Sequence, residues 1–178
     1  MDYKRLSKAV SYFLRHNPWE IELEPDESGW VPVDQLISGL NPKFPNVTVG
    51  DLQNVIDTSE KTRFEIQGDK IRATYGHSLP RKIKKESTTP PFLLYHGTTT
   101  KAVNQIMEKG LLPMNRQYVH LSLDPKTAKV VASRKGQKVA IIAIDAKKAS
   151  EKGVNFYGEL NGIWLANSIP PAYLMPQF

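Results

Sequence analysis

Apolar positions in the first half of the chain recur at helical spacing. Leu6, Ala9, Val10, Phe13 and Leu14 follow the i, i+3, i+4, i+7 pattern of one helix face, and Asn17-Pro18 ends the run. "GWVPVDQLISGL" predicts a short strand and a turn entering a second helix. "TVGDLQNVIDTS" predicts a third, with Thr48 three residues ahead of Asp51 in a variant of the capping box. Leu52, Val55 and Ile56 then face a core. "RFEIQGDKIRA" alternates on both sides of "QGDK", as a β-hairpin does. The second half changes period. "FLLYHGT", "YVHLSL", "KVAIIAID" and "GIWLA" predict strands, rich in Val, Ile, Leu, Tyr and Trp. Between them, Ala102, Val103, Ile106 and Met107 give one face of a helix that Gly110 closes. "DPKTAKVVASRKG" predicts another helix, with Asp124 as cap, Pro125 at the first position and Gly136 at the end.

These elements describe an α+β protein in two parts. Three helices and a hairpin over residues 1–80 suggest a winged-helix lobe, and residues 92–178 form a strand-rich lobe. Residues 81–91 join them, inside the segment "SLPRKIKKESTTPP", whose Ser, Thr, Pro and like charges resist packing into a core. The 178 residues contain no cysteine, which removes disulfides and thiolate chemistry and fits a reducing compartment. The N-terminus "MDYKRLSKAV" lacks the apolar core of a signal peptide, and "VAIIAI" is far shorter than the roughly 20 residues that span a bilayer. A soluble, cytoplasmic protein is expected. The net charge of +6 is uneven: residues 1–80 carry 9 basic and 12 acidic side chains, and residues 81–178 carry 15 and 6. A basic second half suits an anionic partner such as RNA or a phosphorylated cofactor.

Candidate chemistry starts at "SYFLRHNPWE". Arg15 and His16 stand side by side in the last turn of the first helix. Cations suit a helix C-terminus, and the same pair could equally handle a phosphate. His16 lies at the edge of the apolar face, and Arg15 is expected to point away from it. The four histidines, His16, His77, His96 and His120, show no metal-binding spacing, and no metal is expected. Phosphate-binding glycine loops and the nucleophile elbow are also missing from the sequence. His96 in "LLYHGTT" and His120 in "YVHLSLD" each sit in a predicted strand followed by small or hydroxylated residues. They are either rim histidines or part of a nucleotide cleft with Gly97, Thr98 and Ser122. Arg63, Arg72, Arg116 and Arg134 add guanidinium groups suited to phosphate. Arg63 and Arg72 fall on adjoining hairpin strands.

Six segments, in order from about residue 5 to 175, carry a resemblance. "LSKAVSYFLRHNP", "GWVPVDQLI", "KTRFEI…IRATYGHS", "LLYHGTT", "GLLPMNRQYVHLS" and "FYGELNGIWLANSIPPAYL" together resemble the NAD-dependent RNA 2′-phosphotransferases, the tRNA-splicing phosphotransferase family. The resemblance implies a winged-helix N-terminal lobe, an ADP-ribosyltransferase-like C-terminal lobe and an active site between them. It implies a catalytic set of Arg15, His16, Arg63 and Arg116. It places NAD, consumed as co-substrate, among His96, Gly97, Thr98, His120 and Ser122, with Asn161 or Asp124 nearby and Ile163 as the third member of the cleft motif. Lys135 and Glu159 depart from the usual pattern, which bears on the fine detail of the NAD pocket.

The implied reaction has two steps. An internal RNA 2′-phosphate displaces nicotinamide from NAD, giving an ADP-ribosylated RNA 2′-phosphate. The ribose 2″-hydroxyl then attacks phosphorus, releasing dephosphorylated RNA and ADP-ribose 1″,2″-cyclic phosphate. RNA carrying an internal 2′-phosphate, tRNA-like, is the expected partner. On charge alone, Arg72 and His77 are expected to touch it. A monomer without membrane contact is expected. Two alternatives stand beside this reading: an ADP-ribosyltransferase acting on other phosphate or protein acceptors, and a non-catalytic winged-helix nucleic-acid-binding protein. The acidic first half speaks against the second of these.

Overall fold

A computed structural model gives the fold and describes residues 1–158 and 162–177. Helix α1 (Tyr3–Arg15) opens on Asp2, whose carboxylate accepts the Arg5 amide at 3.0 Å. Its stripe buries Leu6, Val10, Phe13 and Leu14. Each such side chain contributes about 1.5–3 kcal/mol by leaving water. After a 3-10 turn over Pro18–Ile21, strand β1 (Val31–Pro32) runs straight into α2 (Val33–Leu40) without an intervening turn. Helix α3 (Val49–Asp57) starts with the reciprocal capping box: the Thr48 hydroxyl accepts the Asp51 amide, and the Asp51 carboxylate accepts the Thr48 amide. Strands β2 (Phe64–Gln67) and β3 (Lys70–Ala73) form the hairpin, with Gln67 opposite Lys70 and Gly68 at φ 60° in the turn. β1 adds to β3, so the small antiparallel sheet runs β1-β3-β2. Its inner residues, Phe64, Ile71 and Ala73, share one core with the three helices.

This first unit extends over Met1–Lys85, and the second over Glu86–Phe178. Residues 81–85 are fastened to the first unit. Ile83 is buried, the Lys84 amide donates to the Glu27 carbonyl at 2.9 Å, and the Lys85 ammonium donates to the Thr74 carbonyl at 2.8 Å.

The second unit is a mixed helix and sheet layer. Strands β4 (Leu93–Thr99), β5 (Val119–Ser122), β6 (Val139–Asp145), β7 (Phe156–Gly158), β8 (Ile163–Ala166) and β9 (Leu174–Gln177) form one antiparallel sheet in the order β7-β8-β5-β4-β6-β9. The β7 and β9 strands were not evident in the sequence, and neither was the short helix α6 (Ala146–Glu151), which Asp145 caps. Leu94, Ile142, Ile144, Phe156 and Ala166 lie in its core. Helices α4 (Val103–Lys109) and α5 (Pro125–Ser133) complete the unit. Thr88 lies along the free side of β7: its amide donates to the Phe156 carbonyl at 2.8 Å, and its hydroxyl accepts the Gly158 amide at 2.9 Å. On the far edge, Pro176 stands opposite Ile142 in β9. No helix among the described residues is long and apolar enough to cross a membrane.

Candidate active site

The expected site residues fall into two groups, one in each unit. In the first unit, the end of α1 meets the segment that follows β3. Arg15 does not point away from the apolar face as its helical position suggested. Its guanidinium lies over the Tyr75 ring, 4.9 Å from the centroid, and 5.7 Å from that of the core residue Phe64. Cation–π attraction and burial of the aliphatic stem favour that placement over full solvation. A Cβ on Gly76 would sit 3.4 Å from the same guanidinium, and Gly76 takes φ 88°, a conformation that resists any side chain. The Ser78 amide donates to the Arg15 carbonyl at 2.9 Å, and the Ser78 hydroxyl lies 2.7 Å from His16 Nδ1. Arg63 stands just before β2 at the same end, and its carbonyl accepts the Thr74 amide at 3.0 Å. Arg15, His16 and the Arg63 backbone are therefore held by one stretch, Thr74 to Ser78. Sequence reading missed Tyr75, Gly76 and Ser78 as supports. They lie about 60 residues from the helix they brace, and only their place in the "ATYGHS" motif marks them.

Arg72 and His77, expected at an RNA surface, are instead held within the first unit. The Arg72 Nε donates to Glu65 at 2.5 Å, its Nη1 donates to the Ser28 carbonyl at 3.2 Å, and the guanidinium stacks on Trp30 at 4.5 Å. His77 is only 3% exposed, so its ring cannot touch a bound strand directly. Its Nε2 has no hydrogen-bond partner among the described residues. Burial, aided by Lys85, Arg15, His16 and Arg72, pulls its pKa from 6.5 to about 3. The unfolded chain therefore takes up a proton below pH 6.5 that the folded chain refuses until about pH 3. Stability is fully present above pH 6.5 and falls as the pH drops through that window, by about 1.4 kcal/mol per pH unit from this group. Urea unfolding at pH 7 and pH 5 should show a loss of about 2 kcal/mol, and His77→Leu should flatten the slope. An equal slope in both proteins would mean that His77 is not the group responsible.

In the second unit, His96, Gly97 and Thr98 of β4 and His120 of β5 line a cavity of about 500 Å3. α4, the 110–118 loop and the inner side of α5 close it, and Arg116 stands on its wall. The β4–β5 ladder holds only one pair, Tyr95 opposite Ser122. Beyond that pair the His96 ring takes the place of the next rung, with its Nδ1 2.9 Å from the His120 carbonyl. A carbonyl only accepts, so Nδ1 carries the hydrogen and Nε2 is the acceptor of the neutral ring. Burial first, and then Lys135, lowers the His96 pKa, which keeps the ring neutral. Arg116 donates from Nη1 to His120 Nδ1 at 2.8 Å. Gly97 has a structural reason beyond ligand approach, because α5 crosses directly over it. A Cβ there would overlap the Ala128 carbonyl oxygen and come within 2.8 Å of the Ala132 methyl.

The other expected cofactor residues lie elsewhere. Ser122 pairs with Ile163 across β5 and β8, and neither lines the cavity. Asp124 caps α5, its two oxygens taken by the Thr127 amide at 2.7 Å and hydroxyl at 2.8 Å, bonds that lower its pKa. Asn161 and Glu159 lie outside the described residues. The cavity lining holds Lys109, Arg116 and Lys135 and, among the described residues, no Asp or Glu. Its volume falls in the range of small-molecule sites. That donor set fits an anionic ligand.

A family model described as RNA 2′-phosphotransferase, Tpt1 / KptA family, matches residues 2–168. The chain belongs to that family. The match to the RNA 2′-phosphotransferase family takes in both groups of residues, from Arg15 to Ile163. Relatives run the full length. A probable RNA 2′-phosphotransferase of Acetivibrio thermocellus is 47% identical, over 98% of this chain and 97% of the relative. One of Bacillus thuringiensis subsp. konkukian is 48% identical, over 97% and 94%. An archaeal one, of Thermococcus kodakarensis, is 38% identical, over 94% and 93%.

Proposed function

We propose that this transferase removes an internal 2′-phosphate from RNA, such as spliced tRNA, by passing it to NAD. The observation that carries the reading is the family match, which spans both units. The cavity beside His96 and Arg116, whose described lining holds Lys109, Arg116 and Lys135 and no acid, supports NAD as the ligand of the second unit. In the same reading, the three helices and small sheet of residues 1–80 are a winged-helix lobe, 81–91 a connecting segment whose first five residues pack on that unit, and 92–178 an ADP-ribosyltransferase-like lobe. The protein works as a cytoplasmic monomer and needs no metal.

NAD supplies an electrophilic ribose carbon with nicotinamide as leaving group, and a neighbouring hydroxyl that later takes over the phosphorus. Two anions must react, and each unit offers guanidinium groups suited to them: Arg15 and Arg63 in the first unit, Arg116 in the second. Arg15 is suited to this because Tyr75 and Gly76 fix its guanidinium in advance. His96 Nε2 accepts a ribose hydroxyl of NAD, and His120 holds Arg116 in place. His16 moves the proton of the second step, from the attacking hydroxyl to the departing RNA 2′-oxygen. Its pairing with Ser78 sets the ring's orientation.

A short RNA with one internal 2′-phosphate, incubated in EDTA with and without NAD, tests the whole reading. The expected result is loss of phosphate only with NAD, together with nicotinamide and a cyclic ADP-ribose phosphate. Nicotinamide release with a stable ADP-ribosylated acceptor in the wild type would point to the wider ADP-ribosyltransferase class. Untouched NAD and RNA would overturn the assignment.

A further inference from the structure

From Pro125 to Ile144 the chain has no Asp or Glu, and it carries Lys126, Lys129, Arg134, Lys135 and Lys138, all exposed. Lys101 joins them in space, since the neighbouring Thr100 amide donates to the Lys138 carbonyl at 3.0 Å. None of these six forms an ion pair among the described residues. The first unit is handled differently: Lys43, Lys70, Arg72, Arg81 and Lys84 each lie within reach of a carboxylate.

The fold gives no reason for this uncompensated strip. Ala128 and Ala132 are the buried residues of α5, so Lys126 and Lys129 leave from its outer side. Lys126 stands in the first turn, where the aligned peptide dipoles disfavour a cation. The carboxylate beside it, Asp124, feels the Lys126 charge but gives its hydrogen bonds to Thr127 and forms no ion pair with the ammonium. An exposed Val130 lies between the lysines and the basic turn beyond the helix. Such a face repels itself, and it gains by meeting an extended polyanion.

We propose that the outer face of α5, with Lys101 and Lys138 at its end, docks the RNA backbone on one side of the 2′-phosphorylated nucleotide. The identity of the polyanion rests on the functional reading above. Lysine is the suited cation here. Its ammonium is a flexible point charge, able to follow phosphates whose positions vary between RNAs, and such contacts position a strand without reading its sequence.

Lys126→Gln/Lys129→Gln separates docking from chemistry, because neither residue lines the cavity and neither belongs to the proposed catalytic set. Two probes are needed, both with one internal 2′-phosphate: a fluorescein-labelled single strand of about 20 nucleotides, and a dinucleotide. Losing two phosphate contacts should lower the slope of log affinity against log salt by about 1.4 and weaken long-strand binding about tenfold near 0.15 M salt. Binding is read by anisotropy without NAD. Turnover of the dinucleotide should be unchanged in kcat and KM. A long-strand affinity within about twofold of wild type at every salt concentration overturns the proposal and leaves the face to an acidic protein. If the wild type binds the long strand with a steep salt slope yet NAD leaves its phosphate in place, the functional reading falls while the docking surface stands.

Discussion

A His16→Ala chain should release nicotinamide once per RNA and then stall, holding an ADP-ribosylated 2′-phosphate. In the proposed mechanism the first displacement asks for charge neutralisation, which is assigned to the arginines. The second asks for a proton at the departing 2′-oxygen; with His16 as the proposed donor, its loss should slow that step by about 10²–10⁴-fold. The fold should be intact, because His16 is exposed and the Ser78 hydroxyl beside its ring is exposed as well. Quenched time courses, with RNA and nucleotide products resolved at each point, give both steps from one reaction. Normal rates for both steps would remove His16 from proton transfer. Loss of the first step as well would mean that the ring also helps to seat the phosphate.

Gly97→Ala should unfold the second unit far more readily, by about 3–5 kcal/mol. One added methyl group meets a backbone carbonyl of α5, and backbone cannot rotate aside as a side-chain tip can. α5 must lift from β4, taking Ala128 and Ala132 out of the core and opening the wall that Val131, Ala132 and Lys135 give the cavity. Denaturant midpoints of wild type and variant measure the effect, with NAD binding as a companion. Equal midpoints would mean that the helix does not rest on Gly97. A stability loss accompanied by intact NAD affinity would separate the helix seat from the cavity.

Much of this architecture could be read before the structure. The α1 stripe, the Thr48–Asp51 box and the "QGDK" turn are local signals, complete within a few residues, and local chemistry decides them. The missed elements depend on distant partners. β9 contains Pro176 and pairs only because β6 offers an edge; β7 is three residues long; and α6 follows β6 at once, so its cap, Asp145, looked like a strand end. The site divides in the same way. Residue type and strand context pointed to His96 and His120, and the family resemblance singled out Arg15, His16, Arg63 and Arg116 from the other cations. Their supports did not follow from order: Ser78 reaches His16 across 62 positions, and the His96 ring finds the His120 carbonyl only where a ladder rung is missing. Charge alone did not show that His77 is buried and neutral or that Arg72 lies against Trp30 and Glu65, because such a side chain looks the same in sequence as one facing water.

The two margins of the six-stranded sheet have a consequence for how the protein behaves when concentrated. An unprotected margin offers amides and carbonyls to any other chain and is a template for fibre growth. Here Thr88 occupies the donors and acceptors of β7 that would otherwise face outward, and Pro176 leaves β9 one donor short at its centre. Both margins are thus poor templates, by different means. The apolar "VAIIAI" strand, the segment most prone to stacking if exposed, lies one strand in from the proline-bearing margin. Resistance to self-association is therefore placed in residues remote from the chemistry, where substitutions could erode solubility while leaving each turnover untouched.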